Sequence, residues 1–139
     1  MIPKRRERGF TLLELLVVLA IMGLLAAIVG PQVIRYLGSS RSQTAGVQVK
    51  NIAAALELYR VDAGGYPTAE QGLSALVTAP PGTPAWNGPY LAQAAGLTDP
   101  WGQPYRLRAP GQHGEVDVFT LGSDKLEGGT GEARDVGNW

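Results

Sequence analysis

"RGFTLLELLVVLAIMGLLAAIVG", residues 8–30, decides how the rest of the chain is read. From Leu15 to Ile34 run twenty residues without a charge, and Glu14 stands at their mouth with an apolar residue on each side. At about 1.5 Å per residue a helix of that length reaches roughly 30 Å, the thickness of a bilayer's hydrocarbon core. A carboxylate at bilayer depth costs about 2.5–3.5 kcal/mol on insertion scales, so Glu14 calls for a partner or a task.

The charges around the run set its orientation. Lys4, Arg5, Arg6 and Arg8 against Glu7 give the first nine residues a net +3, leaving eight basic and eleven acidic residues, or −3, for the remainder. A basic leader before an apolar span stays cytoplasmic, so the C-terminal part is exported. An ordinary secretory signal reads similarly, with "LLAAIVG" as a cleavage region, and Glu14 alone also reads as a side chain snorkelling to the headgroups. Gly30 and Pro31 interrupt the run near its outer end, where proline removes a donor and predicts a kink or local melting. Net charge over the whole chain is zero, which excludes a nucleic-acid binder that relies on a basic surface. There is no cysteine, so an exported domain of this size holds its loops by some means other than a disulfide.

Beyond the run, Ala45, Val49, Ile52, Leu56 and Tyr59 step by four, three, four and three, one face of a helix over 44–62 that ends at Gly64, Gly65 and Pro67. Thr68 and Gln71 have capping-box spacing and predict a short helix over 69–77. Residues 78–104 read as a proline-rich loop whose Trp86, Tyr90 and Trp101 either lie over the core as a lid or recognise a partner. Residues 105–109 and 116–121 read as a hairpin with Val116 and Val118 facing inward, Asp117 alternating outward and the lone His113 in an exposed turn. The tail 121–139 gathers Asp124, Glu127, Glu132 and Asp135 among glycines, as a solvated acidic segment or a loop for a hard cation such as calcium. No Ser/His/Asp set or carboxylate pair points to catalysis, and no phosphate-binding loop is present.

Gly9, Phe10, Thr11, Leu12, Leu13 and Glu14, after a basic leader and before an apolar helix, resemble the signal of type IV pilins and pseudopilins. "YPTAEQGL", "DPWGQPY" and the closing "DVGNW" resemble the major pseudopilins of type II secretion systems. The resemblance runs from the leader to the final tryptophan. It implies an α+β, type IV pilin-like fold: a long N-terminal helix, membrane-embedded in its first half, packed on a small antiparallel sheet with a C-terminal loop. It divides the chain into a leader over 1–9, a membrane and assembly helix over 10–34 and a periplasmic domain over 35–139.

The resemblance also implies roles. Prepilin peptidase would cut between Gly9 and Phe10 on the cytoplasmic side and methylate the new amine. Glu14 would then pair with the amine of a neighbouring subunit and set the register of a helical homopolymer, while Pro31 marks a stretch that loosens in the fibre. The calcium loop of the family maps onto Leu121 through its carbonyl, Asp124 and Asp135 through carboxylates and Thr130 through an oxygen. Gly131 and Ala133 stand where relatives often have carboxylates, with Glu132 as the compensating ligand. The expected protein is a non-enzymatic subunit stored in the inner membrane and assembled into a periplasmic pseudopilus with minor pseudopilins and an inner-membrane platform, to drive or gate exoprotein export. The alternative is an adhesive or motility type IV pilin.

Overall fold

The computed structural model describes residues 9–139; the basic leader residues 1–8 lie outside them. One helix, α1, spans Leu12–Ala63 and belongs to two compact units that divide between Leu37 and Gly38. Gly38, where the second unit opens, is the first buried residue of the helix, and a Cβ there would overlap the Glu132 side chain.

In the first unit the helix is apolar and bare. Leu16, Ile21, Leu24, Leu25 and Ile28 are each more than half exposed, and none of the most apolar stretch is buried. The helix runs through Pro31 without interruption, so the local melting expected there is absent from the isolated subunit. An interior proline costs about 3 kcal/mol or more, and the cooperative turns on both sides of Pro31 carry the helix across it.

The second unit is built around the other half of α1. Val49, Ile52, Leu56 and Tyr59 are at most 2% exposed and meet Leu73, Leu76, Tyr105, Val116 and Val118 in one cluster. The predicted stripe is therefore the core-facing side, and Lys50, Glu57 and Arg60 are exposed as the periodicity requires. Gly64, with φ 79°, ends the helix while its N–H closes the last turn on the Arg60 carbonyl.

After the helix, Thr68 and Gln71 form the reciprocal capping box: Thr68 N–H donates to Gln71 Oε1 at 2.9 Å and Gln71 N–H to Thr68 Oγ1 at 3.3 Å. The helix expected over 69–77 does not follow. Gly72 adopts φ 58°, which breaks the right-handed path, and only a 3-10 turn, Leu73–Leu76, remains. The proline-rich segment does form a lid. Trp86 Nε1 donates to the Ala75 carbonyl at 2.8 Å, Tyr90 OH to Asp62 Oδ2 at 2.8 Å, and the Tyr90 ring meets Tyr59 and Trp86 edge-on at 5.6 and 5.7 Å.

Three antiparallel strands complete the unit: β1 (Arg106–Arg108), β2 (Asp117–Thr120) and β3 (Val136–Gly137), in the order β1-β2-β3. Leu107 pairs with Val118, and Phe119 with both Arg106 and Gly137. The sequence predicts the first two strands but not β3, which is too short to show an alternating pattern. Its register is held by Asn138, whose amide extends the ladder: Val118 N–H donates to Asn138 Oδ1 at 3.0 Å, and Asn138 Nδ2 donates to the Val116 carbonyl at 3.1 Å.

Asp117 departs from its expected outward position. It is 1% exposed, and its carboxylate accepts the backbone N–H groups of Gln112 at 2.7 Å and His113 at 3.2 Å. A carboxylate that satisfies the donors of its own hairpin turn can be buried where a free one cannot. His113 remains in the turn, exposed, with its ring stacked on Trp139 at 3.9 Å between centroids.

Candidate functional site: the helix start and the C-terminal loop

The residues singled out in the sequence fall into two places. Gly9, Phe10, Glu14 and Pro31 lie in the first unit, and Leu121, Asp124, Thr130, Glu132 and Asp135 in the second.

At the helix start, Thr11 and Glu14 form a capping box that the sequence reading missed, although its T-x-x-E spacing signals one. Thr11 N–H and Oγ1 donate to Glu14 Oε2 at 3.0 and 3.2 Å, and Glu14 N–H donates back to Thr11 Oγ1 at 3.2 Å. The carboxylate thus satisfies a free donor at the positive end of the helix dipole, a place that favours negative charge. Phe10 is 93% exposed directly before the cap. A cut between Gly9 and Phe10 would leave an amine four residues from that carboxylate.

The C-terminal loop is shaped by left-handed backbone at Gly122, Lys125, Gly128, Gly129 and Gly131. Glycine is required at Gly122, where a Cβ would collide with the Glu132 and Arg134 carbonyls. Asp124 Oδ1 accepts the Leu126 N–H at 3.1 Å, and Asp135 Oδ2 accepts the Gly128 N–H at 3.0 Å. Asp135 N–H returns a bond to the Gly128 carbonyl at 3.2 Å, so Asp135 staples the two ends of the loop. Its second oxygen, Oδ1, is buried and without a hydrogen-bond partner. Leu121 is buried and Thr130 exposed. Glu132 turns its carboxylate to Gly38 of α1, and no three carboxylate, histidine or cysteine side chains converge among the described residues.

A separate device ties the "DPWGQPY" turn to the sheet. Asp99, 5% exposed, accepts the Trp101 and Gln103 N–H groups on Oδ1 at 3.0 and 2.7 Å and the Thr120 hydroxyl on Oδ2. Beside the helix, Tyr66 OH donates to Glu57, and Arg60 bridges Glu57 at 2.8 Å and Glu115 at 3.4 Å. These are structural contacts that tie loop, helix and sheet together.

Residues 4–30 match the prokaryotic N-terminal methylation motif, and residues 32–139 match the family described as type II secretion system (T2SS), protein G. The chain is 44% identical over 140 residues to the type II secretion system core protein G of Pseudomonas aeruginosa, covering 98% of this chain and 97% of that protein. It is 42% identical to the same core protein of Vibrio cholerae, over 97% of this chain and 93% of that one. The fold is similar to the crystal structure of the major pseudopilin from the type 2 secretion system of enterohaemorrhagic Escherichia coli, at 35% identity and a TM-score of 0.58, over 72% of this chain and 87% of that one. These matches set aside the adhesive or motility pilin. A methylation-motif helix capped by Glu14, a small antiparallel sheet and similarity along almost the whole sequence agree: the chain belongs to the type II secretion system protein G family, as a pseudopilin that serves as a structural subunit and not as an enzyme.

Proposed function

We propose that this chain is stored in the inner membrane by the first half of α1, trimmed between Gly9 and Phe10 by prepilin peptidase, and stacked into a periplasmic pseudopilus that drives or gates export of folded proteins. The observation that carries this reading is the bare apolar helix: a surface of that size is covered by lipid before assembly and by other copies of the same helix afterwards. Glu14 gives the stack its register by exchanging its own helix cap for the Phe10 amine of a neighbour. The leader stays cytoplasmic, the unit beginning at Gly38 faces the periplasm, and minor pseudopilins and an inner-membrane platform supply the start and the driving machinery.

Calcium completes the proposal. The donor set suits a hard cation: two carboxylates, Asp124 and Asp135, with the Leu121 carbonyl and an oxygen from Thr130. The unpartnered buried Asp135 Oδ1 is the group most in need of a cation. Glu132 serves as a further ligand only by leaving Gly38. The ion would take the stapling role of the disulfide that a cysteine-free chain lacks.

Mass spectrometry of the protein extracted from membranes tests the processing. Loss of residues 1–9 with the gain of one methyl group is expected; a cut near Ala27 overturns the reading in favour of an ordinary secretory signal.

A further inference from the structure

A small cleft adjoins the C-terminal loop and shares Leu121 with the proposed calcium site, but its cationic side chains call for a different ligand. Its cavity, about 60 Å³, is lined by Gln103, Arg106, Thr120, Gly122 and Lys125, among others. One water needs roughly 10–15 Å³ on this measure, so there is room for one small oxyanion group. Two of these side chains are cations, and among the described residues neither makes an ion pair. The neighbouring Arg108 is already engaged, with Glu127 at 3.7 Å and over the Phe119 ring at 5.0 Å.

Lys125 is held there at a conformational cost. It is the single non-glycine among the described residues with left-handed backbone, at φ 63°, in a loop that otherwise uses glycine for such positions. A residue kept where glycine is the low-strain choice points to work for its side chain. Lys125 and Arg106 both line this cleft and both are exposed, so an anion seated there would find two cations.

We infer that this cleft receives a carboxylate from a second copy of the chain, with Arg106 and Lys125 as its counter-ions. The inference rests on the assembly reading above. Residues 10–139 carry eight basic and eleven acidic residues, so stacked copies repel unless cations on one meet carboxylates on the next. Glu70 is an exposed carboxylate that makes no ion pair among the described residues, and a second copy offers it. A carboxylate matches the planar fork of arginine and accepts from the lysine as well.

The test has two arms. In the first, full-length protein in detergent is titrated with inorganic phosphate and followed by NMR, comparing the wild type with Arg106→Gln and Lys125→Gly. Lys125→Gly suits φ 63°, so its fold is retained. Saturable shifts confined to residues around Gly122 are expected, weakened at least tenfold in both variants; absent shifts, or shifts unchanged in the variants, overturn the cleft. In the second, assembled fibres are treated with a carbodiimide that joins a lysine amine to a carboxylate in contact with it. A dimer cross-linked through Lys125 to an acidic residue of the next copy is expected. Phosphate binding without that cross-link overturns the second copy as occupant. The first arm needs no fibre, so a failure to assemble counts against the assembly reading and leaves the cleft to be judged by phosphate.

Discussion

Thr11 and Glu14 satisfy each other at the start of α1, the threonine N–H reaching Glu14 Oε2 at 3.0 Å and the glutamate N–H reaching Thr11 Oγ1 at 3.2 Å. This contact gives the one acidic residue of the apolar segment a role before any assembly takes place. A cap of this kind is worth about 1 kcal/mol, a modest hold that a neighbour's amine in low dielectric can displace.

Cap and charge can be separated. Glu14→Gln keeps a side-chain oxygen for the capping box but loses the charge that pairs with an amine. Fibre yield at matched protein level should collapse in both Glu14→Gln and Glu14→Ala, while helix content in detergent stays at the wild-type value for Glu14→Gln. Normal fibres from Glu14→Gln would refute the ionic role.

Thr120 and Asp99 join the sheet to the "DPWGQPY" turn, and both are buried. Thr120→Val removes the hydroxyl and leaves Asp99 Oδ2 short of a donor, at a cost of about 1–3 kcal/mol. For a domain of this size each kcal/mol lowers Tm by about 4–8 °C. Thermal melts should show that drop in Thr120→Val and most of the loss restored in Thr120→Ser.

Two tyrosines define an alkaline limit. The hydrogen bond to Glu57, with burial behind it, pushes Tyr66 up to about 12, and burial, followed by the Asp99 charge, pushes Tyr105 up to about 12. Their ordinary value is 10.0, so the fold favours the neutral phenol. Their contribution is complete below about pH 10 and is lost as pH rises through about 12. Spectrophotometric titration of the folded protein should show Tyr66 and Tyr105 ionising only near pH 12, with Tyr90 also raised by burial, and Tyr66→Phe should remove one of the two latest steps. Asp117 works in the opposite direction. Burial acts to raise it, but the hydrogen bonds from Gln112 and His113 outweigh burial and hold it low, so its contribution fades as pH falls below 3.8.

Removing calcium should loosen the C-terminal loop. At a hundredfold excess over Kd a bound ion contributes about 2.7 kcal/mol. Chelation should therefore lower Tm and speed proteolysis within 121–139, and Asp135→Asn should abolish the calcium-dependent part of both. Melting and digestion curves unmoved by chelator would remove calcium from the account.

The sequence by itself determined the long helix, its buried stripe, the β1–β2 hairpin and the family, because periodicity and short motifs are local properties of the chain. Ala45 through Tyr59 announce their face by spacing alone, and Thr68 and Gln71 find each other within one turn. The tertiary structure decided what depends on partners far along the chain. Asp117 is buried because its own turn supplies donors, β3 exists because Asn138 reaches Val116 and Val118 some twenty residues away, and Gly38 is buried because Glu132 lies on it. The meeting of Arg106 and Lys125 at one cleft belongs to the same class: charges distant in sequence have no local pattern, and only the fold brings them together.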